Sequence, residues 1–157
     1  MESIEAIKKS VYPKAVLKPI TDEAERAVHR TCLPEHMIGI WEFPFNLGRE
    51  SRIVTIKGEE VIMERKKGDG HKPNNDFYIL DFGQRLQISR EHLGIDFVDG
   101  EFLVTDRKSS CGTIINADSI GGSDEGGKHV LKQGDLIKLG TDESHYIFEF
   151  IVLDGGV

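Results

Sequence analysis

The hydrophobic positions of this chain fall into short runs that are separated by polar segments rich in glycine. The runs contain many β-branched and aromatic residues, so they predict β-strands rather than helices. Asp99-Gly100, which lies between two of them, is a strong hairpin signal. Many short strands with turns at fairly even spacing indicate an all-β sandwich. The predicted strands cover residues 15–20, 37–45, 53–56, 60–64, 77–80, 85–88, 93–98, 101–105, 135–139 and 146–152.

Three segments depart from this strand pattern. Residues 21–30 contain two alanines, and Asp22 with Glu25 three positions later is typical of a helix N-terminus, so this segment predicts a short helix. Residues 65–75 are polar and contain glycine and proline, and residues 120–128 hold four glycines. Both of these segments therefore predict exposed loops.

The composition and charge limit the kind of partner. Hydrophobic residues make up 38% and charged residues 30% of the chain, as in a soluble globular protein. The net charge of −7 argues against non-specific binding to nucleic acid, which requires a basic surface. No apolar run approaches the roughly 20 residues of a membrane span, so no membrane contact is expected. Cys32 and Cys111 do not make a disulfide framework, so reduced thiols and a cytoplasmic location are expected.

The sequence shows no signature of a metal or cofactor site. The six histidines lack the spacing that is typical of zinc ligands. The glycine-rich segment 121–127 is not followed by the Lys-Ser/Thr pair of a phosphate-binding P-loop. We therefore expect neither a metal nor a cofactor.

Three polar blocks follow apolar, strand-like runs, so each is expected on a loop at the end of a sheet. They are Gly48-Arg49, Ser89-Arg90-Glu91-His92 and residues 106–116. Together they supply a guanidinium, several hydroxyls and the backbone N–H groups of turns. A phosphate group is bound by this set, because its oxygens accept charge-assisted hydrogen bonds and arginine offers a planar fork of donors.

The order of these blocks, Gly-Arg, Ser-x-x-His and Ser-Ser-x-Gly-Thr-x-x-Asn, resembles the forkhead-associated (FHA) domain family, with a further match at residues 131–140. That family reads phosphorylated motifs. The resemblance implies a two-sheet antiparallel β-sandwich of about eleven strands, with phosphopeptide bound by loops at one end. A short helical insert lies near the N-terminus of this sandwich.

The resemblance also sets the expected domain organisation. It covers residues 13–154, and residues 1–12 are left as a polar leader. The family places its Ser-x-x-His block soon after Gly-Arg, whereas here residues 50–88 intervene. We therefore expect inserts near residues 21–36 and 53–75.

The resemblance assigns phosphopeptide contacts to the residues that match its motifs. Arg49 and Ser89 are implied to hold the phosphate, and Arg90 occupies a position that approaches the peptide in some members. Ser110 matches a hydroxyl residue that holds the phosphate or the peptide backbone, and Asn116 flanks the peptide or braces a loop. The residues implied to brace the loops are Gly48, His92, Ser109, Gly112 and Thr113.

Cys111 departs from the family pattern. The family carries asparagine at this position, and its amide pairs with the backbone of the bound peptide. Because a thiol is a poor donor and a poor acceptor, we expect weaker or altered peptide binding with the phosphate contact retained. A small half-buried filler is one role for this cysteine, and a redox-sensitive thiol beside Arg107 and Lys108 is another.

These observations lead to a non-catalytic phosphothreonine-peptide recognition module that acts in signalling. The implied partners are a threonine-phosphorylated protein and a Ser/Thr kinase or its substrates. Self-association through phosphorylated Thr21 or Thr31 is a further hypothesis. The alternatives are a structural or assembly domain that has lost phosphopeptide binding, and an esterase that uses Ser89 and His92. The esterase lacks a Gly-x-Ser-x-Gly elbow around Ser89.

Overall fold

The fold is described by a computed structural model that covers residues 3–50, 53–62 and 73–153. Within these ranges the chain forms two helices, α1 (Ile4–Val11) and α2 (Asp22–Ala27), and a 3-10 turn at Pro34–His36. The strands are β1 (Ala15–Pro19), β2 (Ile38–Ile40), β3 (Phe45–Arg49), β4 (Ile53–Ile56), β5 (Glu59–Ile62), β6 (Phe77–Ile79), β7 (Leu93–Val98), β8 (Glu101–Asp106), β9 (Thr113–Ile115), β10 (Asp118–Ile120), β11 (Gly127–Leu131), β12 (Leu136–Leu139) and β13 (Ile147–Val152).

Eleven of the described strands form two sheets, which confirms the predicted β-sandwich. One sheet has the order β10-β9-β12-β13-β1-β2, and the other has the order β11-β8-β7-β3-β6. Strands β4 and β5 form a separate hairpin in the part of the sequence that joins β3 to β6. The described pairs of the two sheets are antiparallel, as expected, with one exception. Strand β3 runs parallel to β6, with Leu47 opposite Phe77.

The core lies between the two sheets and contains alternate residues of several of their strands, such as Ala15 and Leu17 of β1 or Leu93 and Ile95 of β7. In β13, Phe148 and Phe150 point inward and are 1% and 0% exposed. Their strand is central in its sheet, between β1 and β12. Phe150 packs edge-on against Phe102 of the opposite sheet, with ring centroids 5.1 Å apart. This alternation follows the two-residue period of a strand with one buried face.

Helix α2 is shorter than the sequence predicts, and its cap differs. The N-cap is Thr21, whose hydroxyl oxygen accepts the Ala24 N–H at 3.1 Å and whose O–H donates to the His145 carbonyl. The N-cap therefore lies one residue before Asp22, the residue at which the sequence predicts it. Ala24 and Ala27 are completely buried, so the helix packs on the core through its alanines.

Several predicted element boundaries are wrong. Residues 37–45 form no single strand but divide between β2 and β3, with a cis Phe43–Pro44 peptide between them. The predicted loop 120–128 includes the end of β10 and the start of β11. Residues 63–64 of one predicted strand and residues 65–72 of the predicted loop lie outside the described residues.

The predicted strand at residues 85–88 is a loop that Asp81 organises. Its carboxylate accepts the N–H groups of Gln87 and Ile88 at 2.7 and 3.0 Å, and that of Gly83 at 2.9 Å. The Tyr146 hydroxyl donates to the same carboxylate at 2.9 Å and accepts the Phe82 N–H at 3.0 Å. Because side chains satisfy these backbone groups, the segment does not need strand pairing.

Replacing Tyr146 by phenylalanine tests this arrangement. The change removes a hydrogen bond to a carboxylate and leaves the Phe82 N–H without its acceptor, so the free energy of unfolding should fall by about 1–2 kcal/mol. Urea denaturation measures this difference. Tyr12→Phe is the matched control, since Tyr12 is 59% exposed, and it should change the free energy of unfolding by less than about 0.5 kcal/mol. Equal effects of the two substitutions would contradict the role given to Tyr146.

Candidate functional site

Four loops meet at one end of the sandwich around a cavity of about 410 Å³. Strand β3 ends here at Arg49, and β7 begins here after the loop that carries Ser89 and Arg90. Strand β8 ends here and leads to Ser110, while Asp124 enters from the loop between β10 and β11. The antiparallel pairing of β7 with β8 places the start of one strand beside the end of the other. Distant parts of the chain therefore share one rim.

Arg49 lines this cavity although it is only 6% exposed. Its Nε donates to the Ile88 carbonyl at 2.8 Å and its Nη1 donates to the Glu50 carbonyl at 3.2 Å. Its backbone N–H donates to the Ser89 carbonyl at 2.9 Å. These bonds fix the guanidinium beside the serine loop. A guanidinium held in this way is prepared to receive an anion without reorganising.

Ser89 and Ser110 are directly linked across the cavity. The Ser110 backbone N–H donates to the Ser89 hydroxyl oxygen at 3.0 Å. The bond uses an acceptor position of the Ser89 hydroxyl and leaves its proton to be donated elsewhere. The Ser110 hydroxyl donates to the Asp124 carboxylate at 3.3 Å. The structure thus brings together three of the residues predicted to bind phosphate, Arg49, Ser89 and Ser110.

A buried carboxylate, that of Asp106, supports the loop that presents Ser110. Asp106 is 2% exposed and accepts the Ser109 N–H at 2.9 Å. It also accepts the hydroxyls of Ser109 and Thr113 at 2.6 and 2.7 Å. The Gly112 N–H donates to the Ser109 hydroxyl oxygen at 2.9 Å. Ser109, Gly112 and Thr113 therefore lie in a bracing network. Asp106 has no role predicted from the sequence, although it is the first residue of the block 106–116 to which these residues belong.

His92 is completely buried and joins this loop to the Ser89 loop. Its Nδ1 accepts the Ser89 N–H at 3.0 Å, so the ring proton lies on Nε2, which donates to the Gly112 carbonyl at 2.8 Å. Burial is the largest influence on this ring, and it lowers the pKa of His92 from its usual value of 6.5. Because Nδ1 faces the backbone N–H of Ser89, it is not placed to take a proton from the hydroxyl. This geometry speaks against the esterase alternative.

Gly48 permits a close approach of two chain segments. A Cβ atom at this position would collide with the Arg90 carbonyl oxygen. That oxygen accepts a hydrogen bond from Asn75 Nδ2 at 2.7 Å, and Asn75 Oδ1 accepts one from Arg107 at 2.7 Å. Arg107 also pairs with Glu91 at 2.9 Å. The end of the insert is thereby attached to the rim, through Asn75, a residue that the sequence analysis left without a role.

Two further residues predicted to contact the peptide form hydrogen bonds within the protein. Cys111 is half-buried, and its thiol donates to the Leu86 carbonyl at 3.4 Å. Asn116 lies in the turn after β9, whereas Gly112 lies before that strand. Its side chain donates to Asp135 and accepts the Leu136 N–H, both at 3.0 Å. Asn116 therefore braces a neighbouring turn, which is the other role that the sequence analysis gave it.

The charge of the cavity is mixed but mainly positive. Arg49, Arg90, Arg107 and Lys108 line it together with the carboxylates of Glu91 and Asp124. In the described ranges, no group of histidine, cysteine and acidic side chains is arranged to hold a metal. None of the helices seen in residues 3–50, 53–62 and 73–153 is long and apolar enough to cross a membrane. The cavity can bind a compact anion through hydroxyls and guanidinium groups.

Comparisons with known proteins agree with this fold. Residues 66–140 match the family model of the FHA domain. Full-length yeast Pml1p superposes with a TM-score of 0.54 and 19% identity over 88% of this chain and 81% of that chain. The N-terminal FHA domain of S. cerevisiae Rad53p, solved in complex with a phosphothreonine peptide, gives 0.51 and 16% over 89% and 94%.

EmbR from Mycobacterium tuberculosis, solved in complex with a low affinity phosphopeptide, is similar with a TM-score of 0.50 and 18% identity. The match covers 91% of this chain and 25% of EmbR, so this chain spans about a quarter of that protein. No curated protein sequence matches this chain. The family model and the shared fold confirm the predicted resemblance to FHA domains.

The buried His92 predicts how stability depends on pH. Because the pKa is lowered in the folded protein, the unfolded chain binds a proton here as the pH falls through about 6.5, while the folded protein does not. The free energy of unfolding should therefore decrease as the pH is lowered from about 6.5 to the pKa of His92 in the folded protein. Urea denaturation across this range, compared between wild type and His92→Gln, isolates the effect, since the other histidines are common to both. Parallel pH profiles would contradict it.

Proposed function

We propose, from the match of residues 66–140 to the family model of the FHA domain, that the protein is a non-catalytic module that recognises phosphothreonine peptides. One observation carries the proposal. Arg49, Ser89 and Ser110, which come from three separate segments of the sequence, line the same cavity at one end of the sandwich. The phosphate lies among these three side chains, and Arg90 provides a second cation. Its oxygens accept bonds from the guanidinium and the two hydroxyls.

An apolar part of the same cavity supports a preference for threonine over serine. Leu86 and Ile88 line it next to Ser89, and Ile88 is only 2% exposed. The γ-methyl of phosphothreonine contacts these side chains, whereas phosphoserine leaves their surface uncovered. Burial of one methyl group contributes about 0.8 kcal/mol. The expected discrimination is therefore about fourfold.

The proposed partners are proteins phosphorylated on threonine, that is, substrates of a Ser/Thr kinase or the kinase itself, in a cytoplasmic signalling pathway. Self-association through Thr21 or Thr31 is a weaker form of this proposal. The Thr21 hydroxyl caps α2 and donates to the His145 carbonyl. The Thr31 hydroxyl donates to the Met37 carbonyl at 2.5 Å. Phosphorylation of either would first have to break these bonds, so a partner in trans is favoured.

A second candidate function is a structural or assembly domain that does not read phosphopeptides. The position of Cys111 favours it, because the thiol is bonded to the Leu86 carbonyl. A family asparagine at this position would supply an amide to the peptide backbone. The substitution removes one or two hydrogen bonds and leaves the phosphate contacts of Arg49 and Ser89 in place, which is why we prefer the binding module.

Replacing Arg49 by alanine tests the proposal. Affinity for a phosphothreonine peptide selected from a library should fall at least about 30-fold, since removal of one partner from a desolvated charge pair costs about 2–5 kcal/mol. Isothermal titration calorimetry measures the affinity, and circular dichroism verifies that the variant is folded. Arg30→Ala is the matched control, because Arg30 is exposed and is not among the residues that line the cavity. Absence of phosphopeptide binding by the folded wild type would favour the assembly domain.

Replacing Cys111 by asparagine should strengthen peptide binding by about two- to tenfold. This range corresponds to one hydrogen bond between the restored amide and the peptide backbone, worth about 0.5–1.5 kcal/mol. Titration with the same peptide measures the gain. Cys32→Asn is the control, since Cys32 is an exposed free cysteine. An unchanged affinity in Cys111→Asn would mean that the peptide backbone does not pass this position.

A further inference from the structure

Asp124 places a carboxylate inside a cavity that is otherwise suited to an anion. Asp124 lines the cavity, and its carboxylate accepts a hydrogen bond from the Ser110 hydroxyl at 3.3 Å. Ser110 is one of the two hydroxyl donors of the proposed phosphate site. A phosphate that binds there carries a charge of about −1.5 to −2. The carboxylate competes with it for the hydroxyl and repels it.

The loop that carries Asp124 holds this carboxylate in place. The Asp124 N–H donates to the Ser109 carbonyl at 3.1 Å, and the Ser123 N–H donates to the Ser110 carbonyl at 2.9 Å. Both Ser123 and Asp124 have positive φ angles, 53° and 61°. The loop between β10 and β11 is thus bonded to the same serine loop that presents Ser110. The position of the charge is set by backbone contacts on both sides.

The two acidic residues of the cavity differ in what they contact. Glu91 forms an ion pair with Arg107 at 2.9 Å and accepts the Asn74 N–H at 3.2 Å. Its charge is therefore balanced within the rim. Asp124 is exposed, and the bond that the described residues give its carboxylate comes from the neutral Ser110 hydroxyl. Because Asp124 lines the cavity, its negative charge acts on any charged group that enters.

We propose that Asp124 is a specificity-determining residue, which makes this cavity select phosphothreonine peptides that carry lysine or arginine beside the phosphothreonine. This inference rests on the proposed function of the same site. A basic side chain next to the phosphate pairs with the Asp124 carboxylate and offsets its repulsion of the phosphate. An acidic side chain at that position adds a second repulsion. Electrostatic complementarity of this kind determines which partner is chosen more than how tightly it binds.

The test compares wild type with Asp124→Asn. Asparagine has the same shape as aspartate and tolerates a positive φ angle, so the loop keeps its conformation and only the charge is removed. The probes are one phosphothreonine peptide with alanine flanks and derivatives with lysine or glutamate at each flanking position in turn. Glu125→Gln is the matched control, because Glu125 is exposed on the same loop and is not among the residues that line the cavity.

In wild type, lysine should be preferred over glutamate at one flanking position at least. At that position Asp124→Asn should lower the ratio of the two affinities at least about fivefold, because loss of the attraction to lysine alone equals about 1 kcal/mol for a charge pair in a water-like medium. Glu125→Gln should leave the ratio unchanged. An equal ratio in wild type and Asp124→Asn, with tight binding of the alanine-flanked peptide, would overturn this inference and leave the proposed function standing. Failure of folded wild type to bind any of the phosphopeptides would overturn both.

Discussion

The hydrogen bonds of the buried Asp106 carboxylate are the interactions on which the loops around the cavity depend. The carboxylate is the acceptor for one backbone N–H and two hydroxyls, and these bonds determine the path of the chain from β8 to β9. The Gly112 carbonyl at the end of this path accepts a hydrogen bond from His92 Nε2, and His92 Nδ1 accepts one from the Ser89 N–H. A buried polar network of this kind stabilises one conformation only when each member is satisfied. Every buried side-chain nitrogen and oxygen in the described ranges has a hydrogen-bond partner.

A second carboxylate has the same role on the other side of the cavity. The Asp81 carboxylate accepts hydrogen bonds from backbone N–H groups of the loop that ends at Ile88. The Ile88 carbonyl in turn accepts a hydrogen bond from Arg49 Nε. Burial and the neighbouring Asp81 charge raise the pKa of Tyr146 to about 12, so its hydroxyl remains a donor to that carboxylate at neutral pH. The loops of Ser89 and Ser110 are therefore each shaped by an acidic side chain that does not itself line the cavity.

The sequence predicts the part of this structure that is encoded by local pattern. Short apolar runs predict the strands of the sandwich, and the order of Gly48-Arg49, the Ser89 block and the Ser110 block, through its resemblance to the FHA family, implies one shared site. Predictions from local pattern are wrong where side chains form hydrogen bonds with backbone groups. Residues 85–88 have the composition of a strand, but bonds to Asp81 give them another conformation. The placement of Asp124 could not be read from a glycine-rich segment, because contacts with a loop distant in sequence determine it.

The parallel pairing of β3 and β6 explains how this sandwich accommodates a long segment beside its recognition loops. A chain that leaves one strand and returns to a parallel neighbour must travel back along the sheet, which takes about a dozen residues or more. Both ends of that path are fixed, since the Glu50 N–H donates to the Ile79 carbonyl at 2.7 Å and the Asp76 N–H donates to the Asn46 carbonyl at 2.8 Å. The crossover can therefore hold extra residues without a change in the register of either sheet.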